Sequence, residues 1–146
     1  MGTQQILLIV LSVIIVGVAV VVGILMFNNQ GYNSNKQAVA SDLTTYGSLV
    51  IQWWKTPSAQ GGAGQRVTNL DVARIAPYIG FNEANNSLTN PDVGEFRVTA
   101  ATQADTTVTL VGLGRDEKKG LHPKVTTMVY LSSCTLQATT TDAAAF

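Results

Sequence analysis

The sequence predicts an α+β protein in which one long N-terminal helix packs against a small antiparallel sheet of three to four strands. Residues 6–27 form an uncharged apolar run in which Ser12 is the sole polar side chain. A second helical pattern follows from residue 36, and patterns typical of strands begin near residue 94. Helical sequence followed by a run of strands is typical of the α+β class.

The apolar run is long enough to cross a bilayer. At about 1.5 Å per residue, a helix over residues 6–27 spans about 33 Å. It is apolar on every face, so either lipid or other apolar helices must surround it. It lacks a basic N-terminal region and a small-residue cleavage site, so we expect it to be retained rather than removed as a signal peptide. Gly17 and Gly23 mark places where another helix approaches closely or where this helix loosens, and for a lone subunit we favour a uniform helix.

The helical pattern continues beyond the apolar run. Residues 28–35 are polar and include Gly31, which makes them the weakest part of a continuous helix. From Lys36 onward an apolar stripe returns at helical spacing, and we expect it to pack against the sheet. This stripe consists of Val39, Leu43, Tyr46, Val50 and Trp53. We therefore predict one helix from about Gln4 to Lys55, ended by Pro57 and a flexible Gly-rich loop.

Two regions are predicted on this basis. Residues 1–35 comprise the apolar helix half and a polar break, and we expect either lipid or identical helices to surround the apolar half. Residues 36–146 form the globular domain, with the amphipathic helix half at 36–56 and an irregular region at 57–93. The sheet occupies residues 94–141 and is followed by a tail at 142–146.

The strands are predicted from alternation. Residues 95–101 alternate Phe96, Val98 and Ala100 against polar side chains, and residues 106–113 continue the pattern after a short connection. Residues 125–140 have strong β character, with a turn near Ser132. The Asn-rich residues 81–91 are expected to form a loop.

Composition points away from several classes of function. Nine basic and nine acidic residues balance, so a nucleic-acid partner is not indicated. His122 is the only histidine and Cys134 the only cysteine, which leaves no partners for a metal cluster or a nucleophilic site. We therefore expect no enzyme activity, no cofactor and no small-molecule substrate.

Three stretches carry a resemblance to a known family. They are residues 1–24 (MGTQQILLIVLSVIIVGVAVVVGI), residues 35–64 (NKQAVASDLTTYGSLVIQWWKTPSAQGGAG), and residues 108–120 with 124–126 (VTLVGLGRDEKKG and KVT). Together with the order of the elements, they resemble bacterial type IV pilins and pseudopilins. The resemblance implies a structural subunit of an extracellular filament at the cell surface. It also implies identical subunits as partners, and an inner membrane and a pilus assembly machinery before assembly.

The start of the helix departs from that family. Pilins carry a glutamate near the mature N-terminus, whereas this chain has Gln4 and Gln5. We expect the apolar helix half to assemble with identical helices in the filament centre. The residues predicted to do so are Gln4, Gln5, Ile6, Leu7, Leu8, Val10, Leu11, Ile14, Gly17, Val18, Val21, Gly23 and Leu25.

Two other functions stay open on sequence alone. The first is a minor pseudopilin of a secretion or pilus machine, which the missing glutamate favours slightly. The second is a bitopic membrane-anchored protein whose outer domain binds a ligand or partner.

Overall fold

The computed structural model describes residues 2–144 and Phe146 and shows one long helix followed by one sheet. The helices are α1 (Thr3–Lys55) and the short α2 (Val72–Tyr78), with single 3-10 turns at Ser58–Gln60 and Val67–Asn69. The strands are β1 (Ser87–Asn90), β2 (Gly94–Thr102), β3 (Thr107–Gly114), β4 (His122–Tyr130) and β5 (Thr135–Ala143). They form an antiparallel meander in sequence order. The predicted α+β class is confirmed, with five strands rather than three or four.

The additional strand is β1, which lies where the sequence predicted only loop. Ser87 pairs with Arg97 and Asn90 with Gly94, so β1 adds an edge to β2. The side chain of Asn90 accepts a hydrogen bond from the backbone N–H of Asp92 (3.1 Å) and supports the turn between the two strands. Residues 87–90 (SLTN) show too little apolar alternation to indicate a strand. The strand is stabilised by pairing with β2 rather than by the propensity of its own residues, so the sequence pattern does not reveal it.

Helix α1 is continuous from Thr3 to Lys55, close to the predicted bounds. Residues 28–35 remain helical, and so do the residues between Gly17 and Ile24. The loop after α1 folds back on the helix end: the N–H groups of Ala63 and Gln65 donate to the carbonyls of Trp53 and Trp54 at 3.1 and 3.0 Å. These bonds satisfy carbonyls that a helix terminus leaves free.

The core lies between the second half of α1 and the inner face of the sheet. Val39, Leu43, Val50 and Trp53 are completely buried there. The helix approaches the sheet closely, and a Cβ at Gly112 of β3 would come within 2.7 Å of a Val39 methyl group. The packing thus depends on a missing side chain as well as on large apolar ones.

Strand β2 departs from strict alternation. Phe96 and Val98 are buried as expected, but the register with β3 shifts between Val98 and Ala100. Beyond this β-bulge, Ala101 rather than Ala100 packs against the core. A bulge places an extra residue in one strand and reverses the faces that follow it, which alternation in the sequence does not reveal.

Candidate functional site: an exposed apolar helix held by polar contacts

The first half of α1 is exposed along its whole length. Every residue from Gly2 to Gly31 is solvent-exposed, and 18 large apolar side chains between Ile6 and Phe27 have exposed fractions of 48 to 78%. All of the residues predicted to assemble the filament core lie in this part of the helix. A soluble monomer rarely exposes so large an apolar surface, so another apolar surface or lipid must cover it.

This half-helix also satisfies its own polar groups. The hydroxyl of Ser12 donates to the carbonyl of Ile9 at 2.8 Å, and the backbone is helical throughout. Because each polar group of residues 6–27 has a partner within the helix or at its ends, the segment can enter an apolar environment. Within the described part of the chain, α1 is the single helix that is long and apolar enough to cross a membrane.

Two glycines in the exposed half have no role within the subunit. A Cβ built at Gly17 or at Gly23 would meet nothing within 4 Å. Glycine inside a helix costs about 1 kcal/mol of helix stability relative to alanine, so Gly17 and Gly23 each destabilise α1 locally. They are six residues apart, which at about 100° per residue places them on different faces of α1. The exposed half of α1 therefore has a position without a side chain on each of two different faces.

The start of α1 carries no charged side chain. Its first turn includes Gln4 and Gln5 and no acidic residue, and no side chain caps it. The backbone N–H of Gln5 donates to the carbonyl of Gly2 at 3.0 Å. The amide side chains supply donors and acceptors for hydrogen bonds but no ion pair.

Polar contacts attach α1 to the globular domain where the exposed half ends. The Tyr32 hydroxyl donates to the Asp142 carboxylate at 2.7 Å, and the Lys36 ammonium lies 3.7 Å from the same carboxylate. Asn35 donates through Nδ2 to the carbonyl of Val93 at 2.9 Å. We call Tyr32, Asn35 and Lys36 the collar, since together they bind the helix to β5 and to the β1–β2 turn.

Asn35 makes a second contact that ties in the β3–β4 connection. Its Oδ1 accepts from the backbone N–H of Asp116 at 3.3 Å, and Gly114 leaves the space that this side chain occupies. Tyr32 and Asn35 are both buried, although the segment around them is polar. The collar therefore explains why residues 28–35 stay helical: tertiary contacts compensate for a poor local sequence.

The environment of Tyr32 changes its acidity. Burial raises the pKa of its phenol to about 12, and the hydrogen bond to Asp142 and the negative charge of Asp142 act in the same direction. The neutral phenol is thus the form that donates to Asp142. Tyr32 therefore stays protonated, and able to donate to Asp142, across the physiological range.

The predicted helix-to-sheet stripe lies on the buried side of α1. Val39, Leu43, Val50 and Trp53 are fully buried, whereas Tyr46 is half-buried. The Tyr46 ring packs edge-on against Phe81 with centroids 5.0 Å apart and lies 5.3 Å from Phe96. Burial raises the pKa of Tyr46, and the nearby carboxylate of Asp42 adds to that shift.

The remaining chemical candidates from the sequence lie apart from one another. His122 begins β4, and Cys134 is exposed in the turn before β5. Among residues 2–144 and Phe146, no group of three or more His, Cys, Asp and Glu side chains could hold a metal ion.

Comparisons with known proteins give no match. No protein-family model, no curated protein and no solved structure matches the chain.

Proposed function

We propose that this protein is the structural subunit of an extracellular filament of the type IV pilus kind. The supporting observation is the apolar half of α1, exposed on all faces yet continuous with a helix half that is packed into a folded domain. Identical helices bundled in the filament centre would cover the apolar half, and the sheets would form the outer surface. Before assembly, the same half-helix would lie in the inner membrane.

Continuity of the helix favours a polymer over a simple anchor. A membrane anchor functions with a flexible linker, whereas a helical polymer needs each subunit to present the same surfaces at the same angles. Here no loop separates the apolar half from the domain, and the collar contacts of Tyr32 and Asn35 oppose bending where the two halves meet. The rigid geometry supports a repeating assembly.

The glycine positions support more than one helix neighbour. Moving an apolar helix from lipid into a helix bundle yields little hydrophobic gain, so close packing must contribute. Gly17 and Gly23 permit such packing on two different faces, as a helix inside a bundle requires. The pilus assembly machinery would supply the rest of the driving force.

The charge-free first turn bears on which kind of subunit this is. Gln5 can offer a hydrogen bond to a neighbouring subunit where an ion pair would otherwise form. Burying an ion pair adds little net stability after desolvation, so its absence is compatible with bulk assembly. The same absence favours a minor pseudopilin, which would occupy the tip or base of a filament, as the second candidate.

The test uses full-length protein expressed with an assembly system and sheared from the cell surface. We expect electron microscopy to show fibres and mass spectrometry to identify this chain as their main component. Gly23→Leu should abolish the fibres and leave the subunit in the membrane, because the added side chain blocks close approach. Val22→Leu, a change of one methylene in the same turn at a position outside the predicted assembly residues, is the control and should preserve them.

Three results would separate the alternatives. Fibres in which this chain is a trace component would indicate the minor pseudopilin. A membrane-bound monomer with no fibres, unaffected by Gly23→Leu, would indicate a bitopic anchored protein and contradict the proposal. Normal fibres from Gly23→Leu would contradict the proposed close packing at this glycine.

A further inference from the structure

A cleft lies between α1 and the connection from β3 to β4. Its volume is about 590 Å³, and one side is formed by helix residues between Leu25 and Tyr32. The opposite side is formed by the four consecutive charged residues Asp116 to Lys119. The cleft therefore has an apolar end at Leu25 and Phe27 and a charged wall facing it.

The last two residues of the charged wall, Lys118 and Lys119, lie in a tight turn. Lys118 and Leu121 exchange two backbone hydrogen bonds, N–H of each to the carbonyl of the other, at 2.8 and 3.1 Å. The two residues between them, Lys119 and Gly120, have φ values of 56° and 79°. Positive φ at both central positions is the geometry of a type I′ turn, which fixes the direction of the chain.

The turn is also attached to the helix. The backbone N–H of Asp116 donates to Asn35 of the collar at 3.3 Å, and the Lys118 ammonium lies 5.8 Å above the Tyr32 ring. The Asp116 carboxylate lies against the helix at Gly31, where a Cβ would be 3.8 Å from it, an ordinary contact distance. The wall of the cleft is thus held at a set distance from α1.

The charges of the wall are balanced and available. Asp116 and Glu117 carry negative charge, and Lys118 and Lys119 carry positive charge. Among residues 2–144 and Phe146, none of these four forms an ion pair within 4.0 Å. A ligand that carries both a negative and a positive group would complement this wall better than a simple anion would.

The position of the cleft along α1 indicates what such a ligand would be. The apolar run ends at Phe27, and Tyr32 lies about 8 Å further along the helix axis. When residues 6–27 cross a bilayer, this interval coincides with the layer of lipid headgroups, which is about 5–8 Å thick on each side. Tyr32 is an aromatic residue at that boundary, as is common in membrane proteins.

We infer that the cleft binds the headgroup of a zwitterionic phospholipid with a primary ammonium, such as phosphatidylethanolamine. The phosphate contacts Lys118 and Lys119, and the ammonium donates to Asp116 and Glu117. The glycerol end of the lipid lies against Phe27. The site belongs to the membrane-anchored subunit, so it depends on the anchoring part of the proposed function and not on polymer formation.

The experiment reconstitutes the full-length chain into bilayer nanodiscs that contain photoreactive phosphatidylethanolamine or photoreactive phosphatidylglycerol. After illumination, mass spectrometry locates and counts lipid adducts on the chain. We expect adducts on residues 25–32 and 115–120, with about a fivefold preference for phosphatidylethanolamine. Asp116→Asn with Glu117→Gln should reverse that preference, because the remaining lysines then favour the anionic lipid.

A double variant and its control separate the site from general attraction to the bilayer. Lys118→Gln with Lys119→Gln should reduce adducts in the cleft about fivefold for both lipids. Lys55→Gln with Arg66→Gln removes the same charge at the far end of α1 and should leave the adducts unchanged.

The unfavourable results are distinguishable from one another. A chain that enters the nanodiscs but labels equally with both lipids contradicts the headgroup site alone. Equal labelling in the Lys118/Lys119 variant and the Lys55/Arg66 control also contradicts that site alone. A chain that does not enter the nanodiscs contradicts membrane anchoring and this site together.

Discussion

The two halves of α1 share one backbone but differ in what surrounds them. Residues 3–31 expose every side chain, whereas the half from Tyr32 to Lys55 buries a stripe in the domain core. In the second half, polar residues separate the apolar ones and thereby define which face is buried. In the first half every face is apolar. The sequence therefore indicates an apolar environment around the helix but does not indicate which face contacts which neighbour. The difference shows that one helix can serve two environments when tertiary contacts hold only one of its halves.

Removing residues 1–27 tests this division most severely. We expect complete loss of membrane association and of fibres, because the whole apolar half is gone. The remaining residues 28–146 should be a soluble folded monomer, since no residue of the deleted part is buried among the described residues. Size-exclusion chromatography and circular dichroism would check this. An aggregated or unfolded fragment would show that the domain depends on the apolar half.

Trp53→Ala in that fragment tests the packed half. Trp53 is completely buried, and its indole N–H donates to the carbonyl of Gly61 at 3.1 Å. We expect a loss of about 3–5 kcal/mol in the free energy of unfolding, from the cavity and the lost hydrogen bond. Denaturant titration measures it. Gln52→Ala, at an exposed position next to it, should change the stability little, and equal losses would refute the assignment of the buried face.

Asn35→Ala tests the junction between the halves. The variant removes the hydrogen bonds to Val93 and to the backbone of Asp116 and leaves both backbone groups without this partner. We expect the unfolding free energy to fall by about 1–3 kcal/mol and amide exchange to rise in residues 28–35. Asn33→Ala, on the exposed side of the same turn, is the control. Unchanged exchange in Asn35→Ala would mean that the collar does not hold the helix.

Tyr32→Phe should have the smallest effect at neutral pH, about 0.5–1.5 kcal/mol for one hydrogen bond. Its signature is the pH dependence. Folding raises the pKa of Tyr32 from 10.0 to about 12, so the folded state retains a proton that the unfolded state has released. The corresponding stability is fully present below pH 10.0 and is lost as the pH rises through about 12. The unfolding free energy of wild type should therefore fall relative to that of Tyr32→Phe between these pH values, and parallel curves would contradict a raised pKa for Tyr32 in the folded state.

The sequence predicted the helix and most of the sheet because both follow periodic patterns. The bounds of α1 differ from the prediction by one residue at its start, and β2 to β5 lie where alternation or β-forming residues indicated strands. Strand β5 continues to Ala143, so the first two residues of the predicted tail at 142–146 belong to the sheet, where they pair with β4. Strand β1 and the bulge in β2 were missed, since both arise from pairing between strands rather than from composition.

The collar was missed for a different reason. Asn35 lies four residues before Val39, and Tyr32 lies three residues before Asn35, so both extend the buried stripe toward the N-terminus at helical spacing. A pattern of apolar residues does not include an asparagine. An asparagine can nevertheless lie on a buried helix face when its side chain is hydrogen-bonded, as that of Asn35 is. Gly47 of α1 was missed for a related reason. A Cβ at this position would collide with the side chain of Leu136 in β5, and the sequence shows such close packing only as a glycine. The periodicity of one chain shows which face of α1 packs against its own domain, whereas the half exposed on every face has no such pattern.

Helical reconstruction of fibres by electron cryomicroscopy tests the central proposal most directly. The proposal predicts rods of helical density for residues 6–27 packed at the fibre axis, with Gly17 and Gly23 at contacts with different neighbours and the sheets outside. Fibres in which this segment is lipid-covered or lies on the outer surface would contradict it.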